Sequence, residues 1–587
     1  MGIMDVLSLL CGLALFLYGM NVMGDALKKS AGSKLKVILA NLTSSTWKGF
    51  LLGLGVTAII QSSSATTVMV VGFVNSGTMV LSQALGVIMG ANVGTAVTSW
   101  ITGLSGLGDG GQTVSAVLQW LKPSAWVPLL AVAGIGLSMF GKRERNKNIG
   151  VILLGFAVLM VGMDTMSAAV SGLKSSETFR SILTMFENPI LGVLAGTVLT
   201  AIVQSSSASV GILQSLTTTG AITYGAAIPI IMGQNIGTCV TALLSAIGAN
   251  KNAKRAALIH LYFNIIGVVV WLTLFYLVDL FMDFAFVDST VNMWAVAAIH
   301  TIFKILCVLL FSPFTKQLER LACISVKDSN EVEKTNMLDD RLLNTPTVAI
   351  ERSKDATFEM AKISCDALLL SLNMLKEYNS KDAEVIRGYE DKADGYEDML
   401  GTYLVKLSGR SMTERDSHEI TKLLHLIGDF ERISDHAVNI LESAEEMNDK
   451  KLSFSNEAKK EIKVLSGAVE EILDITYKSF VFGDIELASL VEPLEQVIDN
   501  LKDKIKTNHI KRLQKSECTI EHGFVLSDLL NNLERVSDHC SNIAGCVIEI
   551  SRYDALDMHE YLNAVKSNDN SEYMEKYKEY SKKYALL

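Results

Sequence analysis

The sequence contains two copies of one pattern of apolar and polar residues, and this duplication strongly restricts how the chain can fold. TAIIQSSSA at residues 57–65 returns as TAIVQSSSA at 200–208, and IMGANVGTAVT at 88–98 returns as IMGQNIGTCVT at 231–241. A single offset of 143 residues aligns both pairs without a gap. Because chance similarity between apolar segments would not keep Gln, Asn and Ser in register, we interpret the pattern as an internal repeat.

The first part of the chain has the composition of a membrane protein. Residues 1–325 contain 18 Lys and Arg and 11 Asp and Glu, whereas the remaining residues contain 34 and 51. Apolar segments close to the length of about 20 residues that a spanning helix needs lie at 2–24, 79–101, 124–140, 149–170, 222–248, 256–280 and 294–312. Two pairs of shorter segments, 37–60 with 64–76 and 188–203 with 207–219, favour re-entrant hairpins. We therefore predict an all-α, polytopic membrane domain over 1–320.

Loop charges predict the orientation of the two repeats. The loop after the first span and the loop at 142–147 are basic, and the loop at 281–293 has no Lys or Arg. Placing the basic loops in the cytoplasm gives repeats (1–141 and 148–315) of opposite orientation, each with one re-entrant hairpin. This inverted duplication is typical of secondary transporters, which bind their substrate near the middle of the membrane.

The duplicated Gln-Ser-Ser-Ser stretches are candidate binding residues. Each is predicted at a hairpin tip inside the membrane, where adjacent polar side chains are costly unless they have partners. Hydroxyls, amides and free N–H groups at a half-helix N-terminus are suited to an oxyanion, and carbonyls at the broken helices are suited to sodium. The alternative is that these small residues only help helices to pack. The candidates are Gln61, Ser62, Ser63, Ser64, Gln204, Ser205, Ser206 and Ser207.

The second duplicated motif has two glycines around an asparagine, followed by threonines. We predict an unwound stretch whose carbonyl, amide and hydroxyl oxygens bind sodium or a phosphate oxygen, with close packing of two helices as the alternative. The candidates are Asn92, Thr95, Asn235, Thr238 and Thr241. We expect the basic residues inside the spans, His260, His300 and Lys304, to have satisfied polar contacts rather than to be ligands. Because no carboxylate relay is evident, sodium is the expected coupling ion.

Duplicated QSSS motifs in inverted repeats, each followed by a G-x-N-x-G-T segment, resemble the type II sodium-dependent phosphate cotransporters. The resemblance covers residues 1–320. It implies that the Gln and Ser residues of both motifs bind phosphate and sodium, that the Asn and Thr residues named above contribute, and that the protein forms a homodimer.

The second part of the chain has the pattern of soluble amphipathic helices. After a predicted linker at 321–347, apolar residues recur at three- and four-residue spacing over 348–555, and a charged tail follows at 556–587. LIGDFERISDHAVNI at 426–440 matches LLNNLERVSDHCSNI at 529–543, and an acidic helix precedes each copy. These features predict two three-helix units.

The duplicated helices place carboxylates on one face. Stacked carboxylates repel one another, so a divalent or trivalent metal ion between two acidic helices is one explanation, and a solvated acidic face is the other. The candidates are Glu390, Asp394, Asp398, Glu431 and Asp435 in the first copy, and Glu495, Asp499, Asp503, Glu534 and Asp538 in the second. The ERISDHA and ERVSDHC stretches resemble the signature of PhoU proteins, some of which bind metals and which regulate phosphate uptake.

Taken together, the residues and the two resemblances predict a sodium-coupled phosphate symporter of the plasma membrane with a cytoplasmic PhoU-like regulatory domain. The expected partners are inorganic phosphate, sodium and membrane lipid. A net charge of −10 argues against a nucleic-acid-binding protein. The sequence contains no motif of a catalytic nucleophile, so we do not expect an enzyme. Two alternatives stay open: a transporter of another oxyanion or a phosphate exporter, and a membrane sensor of phosphate that transports nothing.

Overall fold

A computed structural model describes residues 3–40, 46–106, 123–171, 173, 177–327, 338–410, 412–552 and 571–586. The chain divides into two compact units, Met1–Thr347 and Val348–Leu587. Within the described residues the elements of both units are helices, and the one isolated β-bridge joins Thr223 and Thr290. The predicted all-α class is confirmed. Residues 328–337 of the predicted linker and 556–570 of the predicted tail lie outside the described ranges.

The helices of the first unit follow the duplication. Those of repeat one are α1 (Ile3–Ala40), α2 (Thr46–Ile60), α3 (Ser63–Asn75), α4 (Leu81–Gly94), α5 (Ala96–Gly103) and α6 (Pro123–Phe140). Those that follow are α7 (Glu144–Ser171), α8 (Glu177–Met185), α9 (Pro189–Val203), α10 (Ser206–Thr217), α11 (Tyr224–Gly237), α12 (Cys239–Ser245), α13 (Lys251–Met282), α14 (Met293–Phe311) and α15 (Thr315–Ser325). At an offset of 143 residues, α9 and α11 begin and end at the positions equivalent to those of α2 and α4. The repeated sequence therefore forms repeated local structure.

Several of these helices are long and apolar enough to cross a membrane. Six candidate spans within the described ranges are Ile3–Ser30, Leu81–Gly103, Glu144–Ser171, Tyr224–Ser245, Lys251–Met282 and Met293–Ser325. The seventh predicted span corresponds to α6, which is a shorter apolar helix with Pro128 inside it. The first unit is therefore a multi-pass membrane domain.

Helices α1 and α7, which are equivalent in the two repeats, cross each other closely at glycines. A Cβ atom at Gly12 would lie 2.9 Å from the carbonyl oxygen of Gly162, and a Cβ atom at Gly19 would lie 2.6 Å from that of Gly155. Larger residues would therefore separate the two backbones. Because the contact moves backward along α7 as it moves forward along α1, the two equivalent helices are antiparallel.

The second unit is a helical bundle. Its helices are α16 (Pro346–Met374), α17 (Ser380–Ser408), α18 (Glu414–Asp449), α19 (Asn456–Phe482), α20 (Ile485–Ser489), α21 (Val491–Gln514), α22 (Ile520–Arg552) and α23 (Ser571–Lys583). The long helices α16–α18 and α19, α21 and α22 correspond to the two predicted three-helix units. Helix α23 lies in the predicted tail and packs against α21. Its last residue, Lys583, forms an ion pair with Glu471 at 2.7 Å.

Candidate functional site

The first QSSS stretch forms the tip of a helical hairpin, here called hairpin one (α2 and α3). Helix α2 ends at Ile60, and Gln61 has a left-handed backbone with φ of 59°. The Ser62 hydroxyl then accepts a hydrogen bond of 3.2 Å from the backbone N–H of Ala65, which caps α3. A left-handed conformation costs a residue with a side chain about 1–2 kcal/mol. Such local strain is concentrated at functional sites.

The second QSSS stretch forms the same tip in hairpin two (α9 and α10). Gln204 has φ of 55°, and the Ser205 hydroxyl accepts a hydrogen bond of 3.2 Å from the N–H of Ala208. A buried hydrogen bond between hydroxyls ties the two arms of each hairpin together. It joins Thr57 to Thr66 at 3.0 Å in hairpin one, and Thr200 to Ser209 at 2.8 Å in hairpin two. Both polar stretches thus lie between two short helices, as predicted.

The side chains at the tips are only partly alike. Ser63 and Ser206 are buried at equivalent positions, and Ser207 is buried as well, whereas Ser62, Ser64 and Ser205 are half-buried. Gln61 is buried, donates a hydrogen bond of 2.5 Å to the carbonyl of Ala58 and accepts one of 2.8 Å from Thr98. The equivalent Gln204 is exposed. The duplication therefore fixes the backbone of the tips and not the contacts of their glutamines.

The asparagine motifs lie in regular helix, so the predicted unwound stretch is wrong. Helix α4 continues through Asn92 to Gly94, and the Thr95 that separates it from α5 has right-handed helical backbone angles. The glycines instead allow the first arm of each hairpin to pack closely against the helix that carries the motif. A Cβ atom at Gly90 would clash with the carbonyl of Phe50, and one at Gly233 would clash with that of Val193. This is the packing alternative of the sequence analysis.

The asparagines within these helices retain unused hydrogen-bonding capacity. Asn92 is buried and its Nδ2 has no hydrogen-bond partner among the described residues. Asn235 donates through Nδ2 to the carbonyl of Ile231 at 2.8 Å, and its buried Oδ1 is without a partner in the described ranges. Buried polar atoms of this kind are uncommon unless a ligand or water satisfies them. The three predicted threonines form only local bonds, in which Thr95, Thr238 and Thr241 donate to the carbonyls of Ala91, Gln234 and Thr238.

Helix α5 connects parts of both repeats through polar contacts. Beside Thr98, which donates to Gln61, Ser99 shares a hydrogen bond of 3.0 Å with Nδ1 of His300. Gln214 of hairpin two donates to the carbonyl of Ser99 at 3.0 Å and accepts a hydrogen bond of 2.6 Å from Thr102. The sequence analysis did not single out Gln214. The only sequence signal for it is an amide inside the apolar second arm of the hairpin.

The buried histidines do not all have the satisfied contacts that were expected. His300 bonds to Ser99 through Nδ1, but its Nε2 has no partner among the described residues. Neither ring nitrogen of His260 has a described partner. The expectation is therefore wrong for His260 and holds for only one nitrogen of His300.

Among the described residues, no lysine forms an ion pair with the acidic candidates of the first copy. Burial raises the pKa of the Glu431 carboxyl to about 7, and the charges of Asp435 and Glu397 add to the shift against the opposing charge of Arg432. Arg432 lies 3.5 Å from Glu431 and 3.3 Å from Asp435. Burial, followed by the charge of Asp391, also raises the pKa of Glu390.

The second acidic copy contains a lysine where the first has Glu397. Lys502 forms an ion pair of 2.7 Å with Glu534, the residue equivalent to Glu431. Arg535 lies 3.5 Å from Asp538, and burial raises the pKa of the Asp538 carboxyl, with the charge of Glu534 as the next cause. An ammonium group therefore supplies here the positive charge that a metal ion would supply.

The predicted metal ligands do not converge on a metal site in this arrangement. In the part of the chain that the structure describes, no three His, Cys, Asp or Glu side chains are grouped closely enough to hold an ion. Asp394, Asp398, Asp499 and Asp503 lie on the same helices as Glu390 and Glu495 without completing such a group. In this arrangement the residues present do not fit a resident metal ion.

The histidines of the two acidic motifs connect the two copies to each other. His436 donates through Nδ1 to Asn532 at 2.8 Å, and His539 donates through Nδ1 to Asp429 at the same distance. Asn532 and Asp429 are equivalent residues, so each copy bonds to the other in the same way. The two imidazole centroids are 5.6 Å apart. These contacts give both histidines a structural role at the interface between the copies.

Comparisons with known proteins identify a matching family for each of the two units. The profile of the family described as Na⁺/Pi-cotransporter matches residues 15–168 and 159–295, and that of the PhoU domain matches 357–444 and 462–547. No solved structure matches significantly.

Three relatives illustrate the range of similarity. The chain is 24% identical over 555 residues to "Putative inorganic phosphate export protein YjbB" of Escherichia coli (strain K12), an alignment that covers 93% of this chain and 98% of the relative. It is 30% identical over 307 residues to "Uncharacterized protein YqeW" of Bacillus subtilis (strain 168), an alignment that covers 52% of this chain and 93% of the relative. It is 24% identical over 386 residues to "Sodium-dependent phosphate transport protein 2A" of Mus musculus, an alignment that covers 46% of this chain and 61% of the relative.

Proposed function

Because this chain belongs to the Na⁺/Pi-cotransporter family, we propose that it is a sodium-coupled symporter that carries inorganic phosphate across the cell membrane. The proposal is supported above all by the paired hairpin tips, where equivalent Gln and Ser residues break two apolar helices at equivalent positions. Several relatives are named as phosphate transport proteins, and the chain is accordingly a transport protein rather than an enzyme.

The tips provide donors without a fixed charge of their own. The buried Ser63 and Ser206 hydroxyls follow the helix breaks and lie in the first turns of α3 and α10. Free N–H groups and the positive end of the helix dipole favour an anion at such a position. Phosphate oxygens accept from hydroxyl, amide and N–H groups alike. Sodium prefers hard oxygen ligands, which the glutamine and serine side chains and nearby carbonyls supply.

The repeats are proposed to be inverted and to rock against each other around this site. The antiparallel crossing of the equivalent helices α1 and α7 supports that topology. With the basic loops inside, we propose that the helical unit lies in the cytoplasm. A homodimer is the proposed assembly, as the family resemblance implies.

Uptake into proteoliposomes tests the coupling. The purified full chain is reconstituted, and phosphate uptake is measured with an inward sodium gradient and with potassium in its place. We expect accumulation only with sodium. Equal uptake in both salts contradicts sodium coupling, and phosphate binding without uptake in either salt favours the sensor. Competition by sulfate and arsenate measures how selective the site is.

Phosphate export is the second candidate, and one relative supports it. The Escherichia coli protein that aligns over almost its full length is named as an export protein. Export and import by one symporter differ in the direction of the driving gradients. Efflux of phosphate from vesicles that are loaded with phosphate and sodium distinguishes a reversible symporter from a separate exporter. Faster efflux down an outward sodium gradient is expected for a reversible symporter, whereas efflux that ignores the gradient indicates a separate export mechanism.

The segment before the helical unit offers a route for regulation. Residues 338–345 pack against hairpin one, and Leu342 and Leu343 are buried. Asp339 is buried, accepts a hydrogen bond of 2.5 Å from Asn75 at the end of α3 and forms an ion pair of 2.7 Å with Arg341. We call Asn75, Asp339 and Arg341 the clasp.

The clasp also binds the ends of neighbouring helices. Arg341 donates to the carbonyl of Ser245 at 2.5 Å, and Asn250 donates through its backbone N–H to the side chain of Asn75 at 2.7 Å. Helix α16 begins at Pro346, directly after this segment. The helical unit is therefore tied by its chain to the end of hairpin one, and we propose that it sets the transport rate through the clasp.

Two variants test this route. A chain that ends at Thr347 keeps the clasp and lacks the helical unit, and Arg341→Ala in the full chain loosens the clasp. Both are expected to change the maximal uptake rate more than the half-saturating phosphate concentration. The exposed Arg410→Ala is the matched control. Unchanged kinetics in both variants at every phosphate concentration would refute the route.

A further inference from the structure

Among the described residues, three basic side chains are buried within the apolar stretches of two packed helices of the membrane unit, whereas the buried Arg255 lies near the start of α13 and donates to the carbonyl of Val326. His260 lies on α13, and His300 and Lys304 lie on α14, one turn apart on the same face. Their exposed fractions are 1%, 0% and 3%. Basic residues inside spanning helices are rare, face the interior and mark ion pathways.

These three groups have little compensation within the protein. Both ring nitrogens of His260 and Nε2 of His300 have no hydrogen-bond partner among the described residues. Lys304 lies one helical turn from His300, and no described acidic side chain forms an ion pair with it. A buried ammonium without a counter-charge is strongly unfavourable. The cluster therefore lacks an anion.

Two further helices, which pack against those of the cluster, also carry unused polar atoms. Helices α4 and α11 both pack against α13 and α14. They carry Asn92 and Asn235, whose Nδ2 and Oδ1 atoms have no partner in the described ranges. Four packed helices thus hold most of the unsatisfied polar atoms identified in this unit.

The cluster is connected to the tip of hairpin one. Thr98 donates to Gln61 at the tip, and the next residue, Ser99, bonds to His300. No Lys, Arg or His occurs from residue 49 to 121 or from 181 to 250, so neither the tips nor the helices that follow them carry a positive charge. A phosphate dianion in a medium of low dielectric needs one.

We propose that Lys304, with His260 and His300 as hydrogen-bonding groups, supplies the positive charge of the phosphate site. This inference rests on the proposed function, because it assigns the charge to the site at the hairpin tips. The tips then select the shape of the oxyanion, and Lys304 balances its charge as sodium does.

The test compares Lys304→Met with Lys304→Arg in the purified full chain. Lys304→Met keeps the length of the side chain and removes its charge. Phosphate binding is measured by calorimetry in sodium, and thermal unfolding is measured with and without phosphate. The exposed Lys254→Met on α13 is the control.

We expect Lys304→Met to weaken phosphate binding by about 10- to 100-fold, the range for a hydrogen bond to a charged group. Lys304→Arg is expected to restore most of the affinity. Without phosphate, Lys304→Met should melt at the same temperature as the parent or higher, because it removes an unpaired buried charge. The rise in melting temperature on adding phosphate should shrink.

Three results would overturn the inference. If Lys304→Met binds phosphate as the parent does, Lys304 is not part of the site, although the proposed function stands. If it melts lower without phosphate and keeps its full phosphate-dependent rise, the residue is structural. If the parent itself neither binds nor transports phosphate, the proposed function has failed, and this inference fails with it.

Discussion

In hairpin one the Gln61 side chain is buried and bonded to Thr98, whereas in hairpin two the equivalent Gln204 side chain is exposed. The backbones of the tips are nevertheless the same, with left-handed glutamines and serine caps at equivalent positions. Hairpin one is also held at its far end by the clasp. We interpret the two hairpins as copies of one structural element. Hairpin one is fixed by polar contacts in this structure, whereas the tip of hairpin two leaves its glutamine exposed.

The helical unit shows the same kind of divergence. Glu431 and Glu534 are equivalent, but Glu431 lies near Glu397 and Glu534 pairs with Lys502. One substitution between the copies thus replaces a repulsion by an ion pair. In both units a duplication retains the backbone, while the contacts of equivalent side chains differ between the copies.

The largest expected effect comes from the residues that the hairpins share. Ser63→Ala and Ser206→Ala each remove a buried hydroxyl at a tip without changing the cap. If both tips hold phosphate, each variant should lower sodium-dependent phosphate uptake by about 10- to 100-fold, the range for a hydrogen bond to a charged group. Uptake into proteoliposomes at equal protein content measures this. A thermal unfolding scan shows whether the variants stay folded. Wild-type affinity for phosphate and sodium in either variant would remove that tip from the site.

A smaller effect is expected at the threonines by which the hairpins differ. Thr98→Val removes the hydrogen bond to Gln61, whereas Thr241→Val at the equivalent position removes only a bond to the carbonyl of Thr238. Loss of one neutral hydrogen bond should weaken phosphate binding by about 3- to 10-fold in Thr98→Val and by less than about 2-fold in Thr241→Val. Calorimetry with both variants measures the ratio. Equal losses would mean that the two glutamines are equally engaged during binding.

The smallest effect concerns the pH dependence of the helical unit. Burial raises the pKa of Glu431 from its usual 4.5 to about 7. As pH rises through this window the unfolded chain loses the proton first, so the folded state loses stability. Glu431→Gln should therefore raise the melting temperature of the full chain by about 2 °C at pH 8 and leave it unchanged at pH 4.

Glu534→Gln is the matched control for that measurement. It leaves Lys502 without its partner, so it should lower the melting temperature at pH 8. Both scans are made with a chelator present, which removes any metal ion. A fall in the melting temperature of Glu431→Gln at pH 8 contradicts the raised pKa.

The sequence predicted most of the helices and both hairpin tips, because apolar length and the register of a repeat depend on local residues. It failed where tertiary contacts decide. The Gly-x-Asn-x-Gly segments are helical, and their glycines allow close packing against the carbonyls of Phe50 and Val193, which sequence spacing does not reveal. The unsatisfied nitrogens of His260 and the role of Lys502 likewise depend on which helix lies opposite. The clasp was not predicted, because its partners are more than 90 residues apart in the chain.

The central claim is that the two hairpin tips form one phosphate site. The most direct measurement is the stoichiometry of phosphate binding to the purified full chain in sodium, followed by the same titration of Ser63→Ala and Ser206→Ala. We predict one phosphate per chain, with affinity lost in each single variant. Two phosphates per chain, of which each variant loses only one, would contradict the claim and make the tips independent sites.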